Sequence, residues 1–95
     1  MRRYNVRIEL HSSIYNPDFT LLHNAMASEG FSRFILSDNG RTFYLPRGEY
    51  TINSSEELAQ VLVNAENAVQ STGKSAEILV TESNGCTWSG LTPKG

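Results

Sequence analysis

The chain has 95 residues, is 39% hydrophobic and 19% charged, and carries a formal net charge of −2 at pH 7. Such a length supports one small domain with one core, and the charge excludes a broadly basic nucleic-acid binder while allowing a local basic patch. One cysteine, Cys86, excludes an internal disulfide, and no apolar run approaches the roughly 18 residues a membrane span needs.

The N-terminal stretch "MRRYNVRIEL" alternates Tyr4, Val6, Ile8 and Leu10 with Asn5, Arg7 and Glu9, the period of a half-buried strand. It lacks the apolar centre of a signal peptide, so a cytoplasmic protein is expected. "HSSIYNPD" breaks the alternation. Asn16 before Pro17 predicts a helix start, because asparagine caps and proline has no N–H to leave unpaired at the first helical position. Asp18 suits the positive end of that helix. Phe19, Leu22, Ala25 and Met26 then recur at helical spacing, and Gly30 predicts the stop.

Phe31 to Ser37 reads as a second strand. Asn39-Gly40 predicts a two-residue hairpin turn of type I′, and Arg41 to Leu45 is the return strand. Pro46 interrupts it, which places the strand at an edge or at a bulge, with "RGEYTI" resuming it. Ser54 and Glu57 have capping-box spacing. Leu58, Val61, Leu62, Ala65, Ala68 and Val69 line one face of a long helix ending near Gly73, and Ala76 to Thr81 is a last strand. The tail from residue 83 to 95 is turn-rich. The order predicts an α+β domain spanning 1–95 with its core in about residues 3–82: a ferredoxin-like βαββαβ sandwich, with a four-stranded antiparallel sheet and both helices on one face. The other face is left for solvent, a ligand or a second subunit.

The basic residues are unevenly spread. Six arginines face five acids in the first fifty positions, about +1; two lysines face five acids in the rest, about −3. If Phe34 and Leu36 face the helices, Arg33 and Ile35 point to the open face. Arg7, Arg33, Arg41 and Arg47 are the candidates for gripping phosphate, since a forked guanidinium matches its oxygens. Each also suits a solvent-exposed edge. His23, one position past Leu22, is the candidate general acid or base, because imidazole titrates near neutrality. His11 ends the first strand. Asp18 and Asp38 have local structural duties, and no D-x-D or E-x-x-H spacing occurs, so neither a metal nor another cofactor is expected. Cys86 reads as a spectator thiol. Tyr4, Phe43, Tyr44 and Tyr50 serve either as base-stacking rings on an exposed sheet or as packing. Trp88 to Leu91 either folds back over the sheet or contacts a partner.

The run "DFTLLHNAMASEGFSRFILSDNGRTFYLPRGEYTI", residues 18 to 52, resembles the GhoS endoribonuclease antitoxin family of type V toxin–antitoxin systems. The likeness lies in a short helix with a methionine, a step ending in Phe31-Ser32, an acidic-glycine turn, a Leu-Pro bend and a Tyr-Thr-Ile strand entering the second helix. It implies a ferredoxin-like domain similar to the small CRISPR-associated nucleases. It also implies cleavage of mRNA, the transcript of a small membrane toxin; with no metal-ligand spacing in the chain, metal-independent acid–base chemistry on single-stranded RNA is expected. Family members carry an arginine on the second turn of the first helix, where this chain has His23, and an acidic residue near the end of the first strand, where Glu9 falls. The other expectation is a non-catalytic interaction module, whose open sheet face forms a homodimer or binds a protein or RNA partner.

Overall fold

The structure is a computed structural model and describes residues 1–11 and 19–94. In chain order the elements are β1 (Arg2–Leu10), α1 (Thr20–Ser28), β2 (Phe34–Leu36), β3 (Thr42–Tyr44), β4 (Glu49–Ser54), α2 (Leu58–Ser71) and β5 (Ala76–Glu82). The predicted cap at Asn16, Pro17 and Asp18 lies outside the described residues.

The alternation of β1 is realised in full: Tyr4, Val6, Ile8 and Leu10 are all buried. They form one core with Leu22 and Met26 of α1, Phe31, Tyr50 of β4, and Val61, Ala65, Ala68 and Val69 of α2. Both helices therefore cover the same face of the sheet. Strand β1 is central, with β4 and β5 antiparallel on either side; Val6 lies opposite Tyr50 on one flank and Val80 on the other. Helix α1 stops at the expected glycine, where the Phe31 N–H reaches back to the Met26 carbonyl and the Gly30 N–H to Ala27.

Three local expectations are corrected. A single four-stranded sheet does not form: the strands divide into a three-stranded sheet, β4-β1-β5, and a two-stranded one, β2-β3. The division lies at the Pro46 interruption. Ser32 and Thr51 exchange both backbone bonds, yet the next residue, Arg33, accepts from the Leu45 N–H. One step along the second strand thus spans Pro46 to Tyr50 on the return strand. Gly48 explains why the chain turns here. Its φ is +86°, and a Cβ on it would lie 2.5 Å from the Ile8 carbonyl oxygen. The Ile8 N–H also donates to the Gly48 carbonyl at 2.7 Å, so the bulge is pinned against β1.

The hairpin turn is not type I′. Only glycines have positive φ among the described residues, so Asn39 does not supply the left-handed residue that type requires. Gly40 alone does, at +83°. Its N–H donates to the Ser37 carbonyl and the Ser37 N–H to Arg41, which makes a three-residue loop with a glycine bulge. Ser54 and Glu57 do not form a capping box. Glu57 is itself the N-cap residue of α2 and its side chain makes no cap bond; the Ser54 hydroxyl accepts instead from the Glu56 N–H at 3.0 Å.

The second strand departs from expectation at one residue: Leu36, expected to face the helices, is 58% exposed, while Ile35 faces away from them as expected and is buried there. Ile35 does not join the helix-side core; it lines a cleft with Trp88 and Leu91 of the C-terminal segment. That segment folds back, as one of the two readings of Trp88 to Leu91 allowed. The Tyr44 N–H donates to Thr92 and the Lys94 N–H to Thr42, so residues 92–94 run along the outer edge of β3. The Trp88 ring meets Phe43 edge to face at 5.6 Å. Among the described residues no helix is long and apolar enough to cross a membrane.

Candidate functional site

A contact between α1 and β4 draws the polar candidates together. Leu22 and Met26 turn inward on α1, and His23, about 100° further round the helix, falls at the boundary of the buried face. Tyr50 points inward from β4 with 1% of its surface exposed. Its ring fills the core, and its hydroxyl reaches the helix edge 2.7 Å from His23 Nδ1. The His23 ring is framed by Phe19, stacked at 6.0 Å, and by Tyr50, edge-on at 5.7 Å.

Two arginines flank this pair. The bulge carries Arg47 over the Phe19 ring, 5.1 Å from its centroid. Gly48 makes that approach feasible, since a Cβ there would also touch Phe19 at 3.5 Å. Arg33 lies 5.8 Å over the Tyr44 ring, and its charge acts on the Tyr50 phenol. Burial pushes the Tyr50 phenol up to about 12 against the opposing pull of Arg33. At neutral pH Tyr50 is therefore a hydroxyl. It donates to Nδ1 in the neutral tautomer protonated at Nε2, and it accepts from Nδ1–H both in the other neutral tautomer and when the ring is protonated. Rotation of one hydroxyl fits both protonation states of His23, the property a proton-transferring histidine needs.

Of the six site residues expected from the sequence, His23 bonds Tyr50, Arg33 acts on the Tyr50 phenol, and Arg47 lies over Phe19, the ring stacked on His23. Glu9 and Arg7 lie on the opposite face of β1, since Ile8 and Leu10 between and beyond them point into the core. Glu9 sits opposite Glu77, and Arg7 between Glu49 and Leu79. Arg41 is at the hairpin tip, with its guanidinium 5.4 Å over Phe43. His11 binds Glu77 at 3.2 Å on the surface. Among the described residues, no group of three His, Cys, Asp or Glu side chains is placed to hold a metal ion.

Tyr50 and Tyr4 are not the exposed stacking rings that one reading allowed. Tyr4 is fully buried, and its hydroxyl donates to the Glu56 carbonyl at 2.7 Å. Phe34 and Tyr44 are half-buried, as are Phe19, Phe43 and Trp88, and the Phe34 and Tyr44 rings pack edge to face at 5.1 Å. Lys94, a residue the sequence did not single out, places its ammonium 4.2 Å over Phe34. Its only advance signal is a positive charge near an aromatic-rich hairpin, and the two residues lie far apart in the chain. Cations and half-buried rings thus meet in two groups joined by the buried Tyr50: Arg47, Phe19 and His23 on one side, and Arg33, Tyr44, Phe34 and Lys94 on the other. Cation–ring pairs of this kind suit the phosphates and bases of a single strand. No protein-family model matches this chain, and no curated protein matches it either.

Proposed function

We propose that the protein is a metal-independent endoribonuclease of the antitoxin type, acting in the cytoplasm on single-stranded mRNA. The observation that carries the reading is the 2.7 Å contact between His23 Nδ1 and the Tyr50 hydroxyl, set between Arg33 and Arg47. The two helices on one face of antiparallel strands support a ferredoxin-like ancestry, with the edge of the sheet split by the bulge at Pro46.

In this mechanism neutral His23 takes the proton of a ribose 2′-hydroxyl. The 2′-oxygen attacks the adjacent phosphorus, the bond to the 5′-oxygen breaks, and the imidazolium returns its proton to that oxygen. The products are a 2′,3′-cyclic phosphate and a 5′-hydroxyl. Arg33 and Arg47 supply the fixed positive charge that steadies the phosphorane oxygens. Tyr50 positions the imidazole by accepting from Nδ1–H, the tautomer in which Nε2 carries the lone pair that takes the proton. Glu9, Arg7 and Arg41 have no part in this step, since they lie away from His23. The transcript of a small membrane toxin as substrate rests on the resemblance of residues 18 to 52. The test is incubation of the purified protein with single-stranded RNA in EDTA, followed by analysis of the 3′ ends.

A second reading has its own support. Leu79 is 63% exposed on the face of β5 beside Arg7, next to a shallow groove that Glu9 and Glu77 also line. That strip suits a non-catalytic module pairing with a second copy. Sedimentation across a hundredfold concentration range separates the two: a dimer without cleavage supports the module, and a cleaving monomer removes it.

A further inference from the structure

The face of the sheet opposite the helices holds a second polar feature. The C-terminal segment and the sheet enclose a cleft of about 310 Å³. This lies at the low end of the volumes that hold small ligands, about 300–1,000 Å³, so it has room for one ring system. Ile35, Leu45, Trp88 and Leu91 give it apolar walls. Asn5 also lines it, and Asn5 Oδ1 is buried without a hydrogen-bond partner. Glu49 lines it too, and its carboxylate makes no hydrogen bond or ion pair among the described residues, although Arg7 is its cross-strand neighbour. Folded proteins leave few buried acceptors unpaired, because the group has lost water and gained nothing.

We propose that this cleft binds a nucleobase bearing an exocyclic amino group. Both unpaired groups at the cleft are acceptors, so the complementary ligand presents N–H donors. The walls are apolar and include an indole, so the ligand is planar and stacks. Adenine and cytosine meet both conditions, as does guanine through its N2 amine and N1–H. Uracil carries carbonyl oxygens where adenine and cytosine carry the amine, and these oppose the carboxylate of Glu49 and the carbonyl of Asn5. Trp88 is held in place from the side by Phe43 and so offers a preformed stacking surface. Tyr50 also lines the cleft, but Asn5 and Glu49 alternate with it along the strands and so point to the face away from the Tyr50 ring and His23.

Trp88 is the single tryptophan of the chain, so its fluorescence reports the cleft directly. Titration with adenosine and with cytidine gives saturable quenching, and uridine binds at least tenfold more weakly. Asn5→Leu and Glu49→Gln each weaken adenosine binding at least tenfold; a thermal melt of each variant confirms its fold. A trinucleotide of adenosine that quenches where free adenosine does not assigns the cleft to a base within a strand. The His23→Ala variant keeps all of this binding, so absence of ribonuclease activity leaves the cleft in place. No quenching by any nucleoside or trinucleotide, equal quenching by uridine, or unchanged binding in a folded Glu49→Gln variant overturns the proposal.

Discussion

Replacing Tyr50 with phenylalanine removes one oxygen from a side chain that is 1% exposed and leaves its ring in the core. At neutral pH the variant loses the bond to His23 Nδ1, and a neutral hydrogen bond contributes about 1 kcal/mol net. In a domain this small that lowers the melting temperature by about 4–8 °C. Alkaline pH reverses the order. The phenol titrates near 10.0 when unfolded and near 12 in the folded protein, because burial disfavours the phenolate. A group raised in this way contributes fully below pH 10 and loses its contribution as the pH climbs toward 12. At about 1.4 kcal/mol per pKa unit, roughly 2 kcal/mol of wild-type stability is gone by pH 12. Phenylalanine has no proton to lose. The two stability curves, measured by urea unfolding from pH 7 to 12, therefore cross between pH 10 and 12, and the variant ends about 1 kcal/mol ahead. A constant gap between them at every pH would refute the assignment of a buried, hydrogen-bonded phenol.

Gly48→Ala costs more than about 2 kcal/mol, because the left-handed conformation alone costs about 1–2 kcal/mol and the Ile8 carbonyl stands 2.5 Å from the new methyl. Gly40→Ala has the same sign of φ with open space around it, so it costs only the conformational term; equal melting temperatures for the two would contradict the close approach at Gly48. Ending the chain at Asn84 removes Trp88 from Phe43 and two backbone bonds from the edge of β3, and it uncovers Ile35. Stability then falls by about 2 kcal/mol and the exposed edge associates, which sedimentation detects as concentration-dependent mass; a monomer with an unchanged melt would show that the tail does not seal that edge.

The parts of the fold that were legible in the sequence are those whose environment has one period and one side. Strand β1 alternates because only one of its faces meets the helices, and α2 shows its stripe of Val61, Ala65, Ala68 and Val69 for the same reason. The Pro46 interruption was legible too, but its consequence was not. Whether a bent strand stays in one sheet or divides depends on what the bend rests against. Here that is the backbone of Ile8, some forty residues earlier, as the Ile8–Gly48 bond shows. Asn39-Gly40 misled on turn type because the Ser37 hydroxyl and the Asn39 side chain both accept from the Arg41 N–H, holding a three-residue loop that the dipeptide rule does not contain. At the site, the chemistry of His23 was readable from its residue type. Its partner was not, since Tyr50 lies 27 positions away and meets it only after α1 and β4 pack. Arg7 and Arg33 look alike in sequence; Arg7 points outward from β1, whereas Arg33 lies at the bend before β2, over the Tyr44 ring.

Cleavage of a single-stranded RNA in EDTA by the wild type, His23→Ala and Tyr50→Phe tests the proton-transfer role of His23 most directly. The wild type leaves 2′,3′-cyclic phosphate ends, and His23→Ala loses about 10²-fold or more in rate, the range of a general acid–base group. Tyr50→Phe, a change to a positioning residue, gives a smaller loss with an altered pH profile. Wild-type protein that leaves the RNA intact, or cleavage that survives His23→Ala undiminished, would contradict that role.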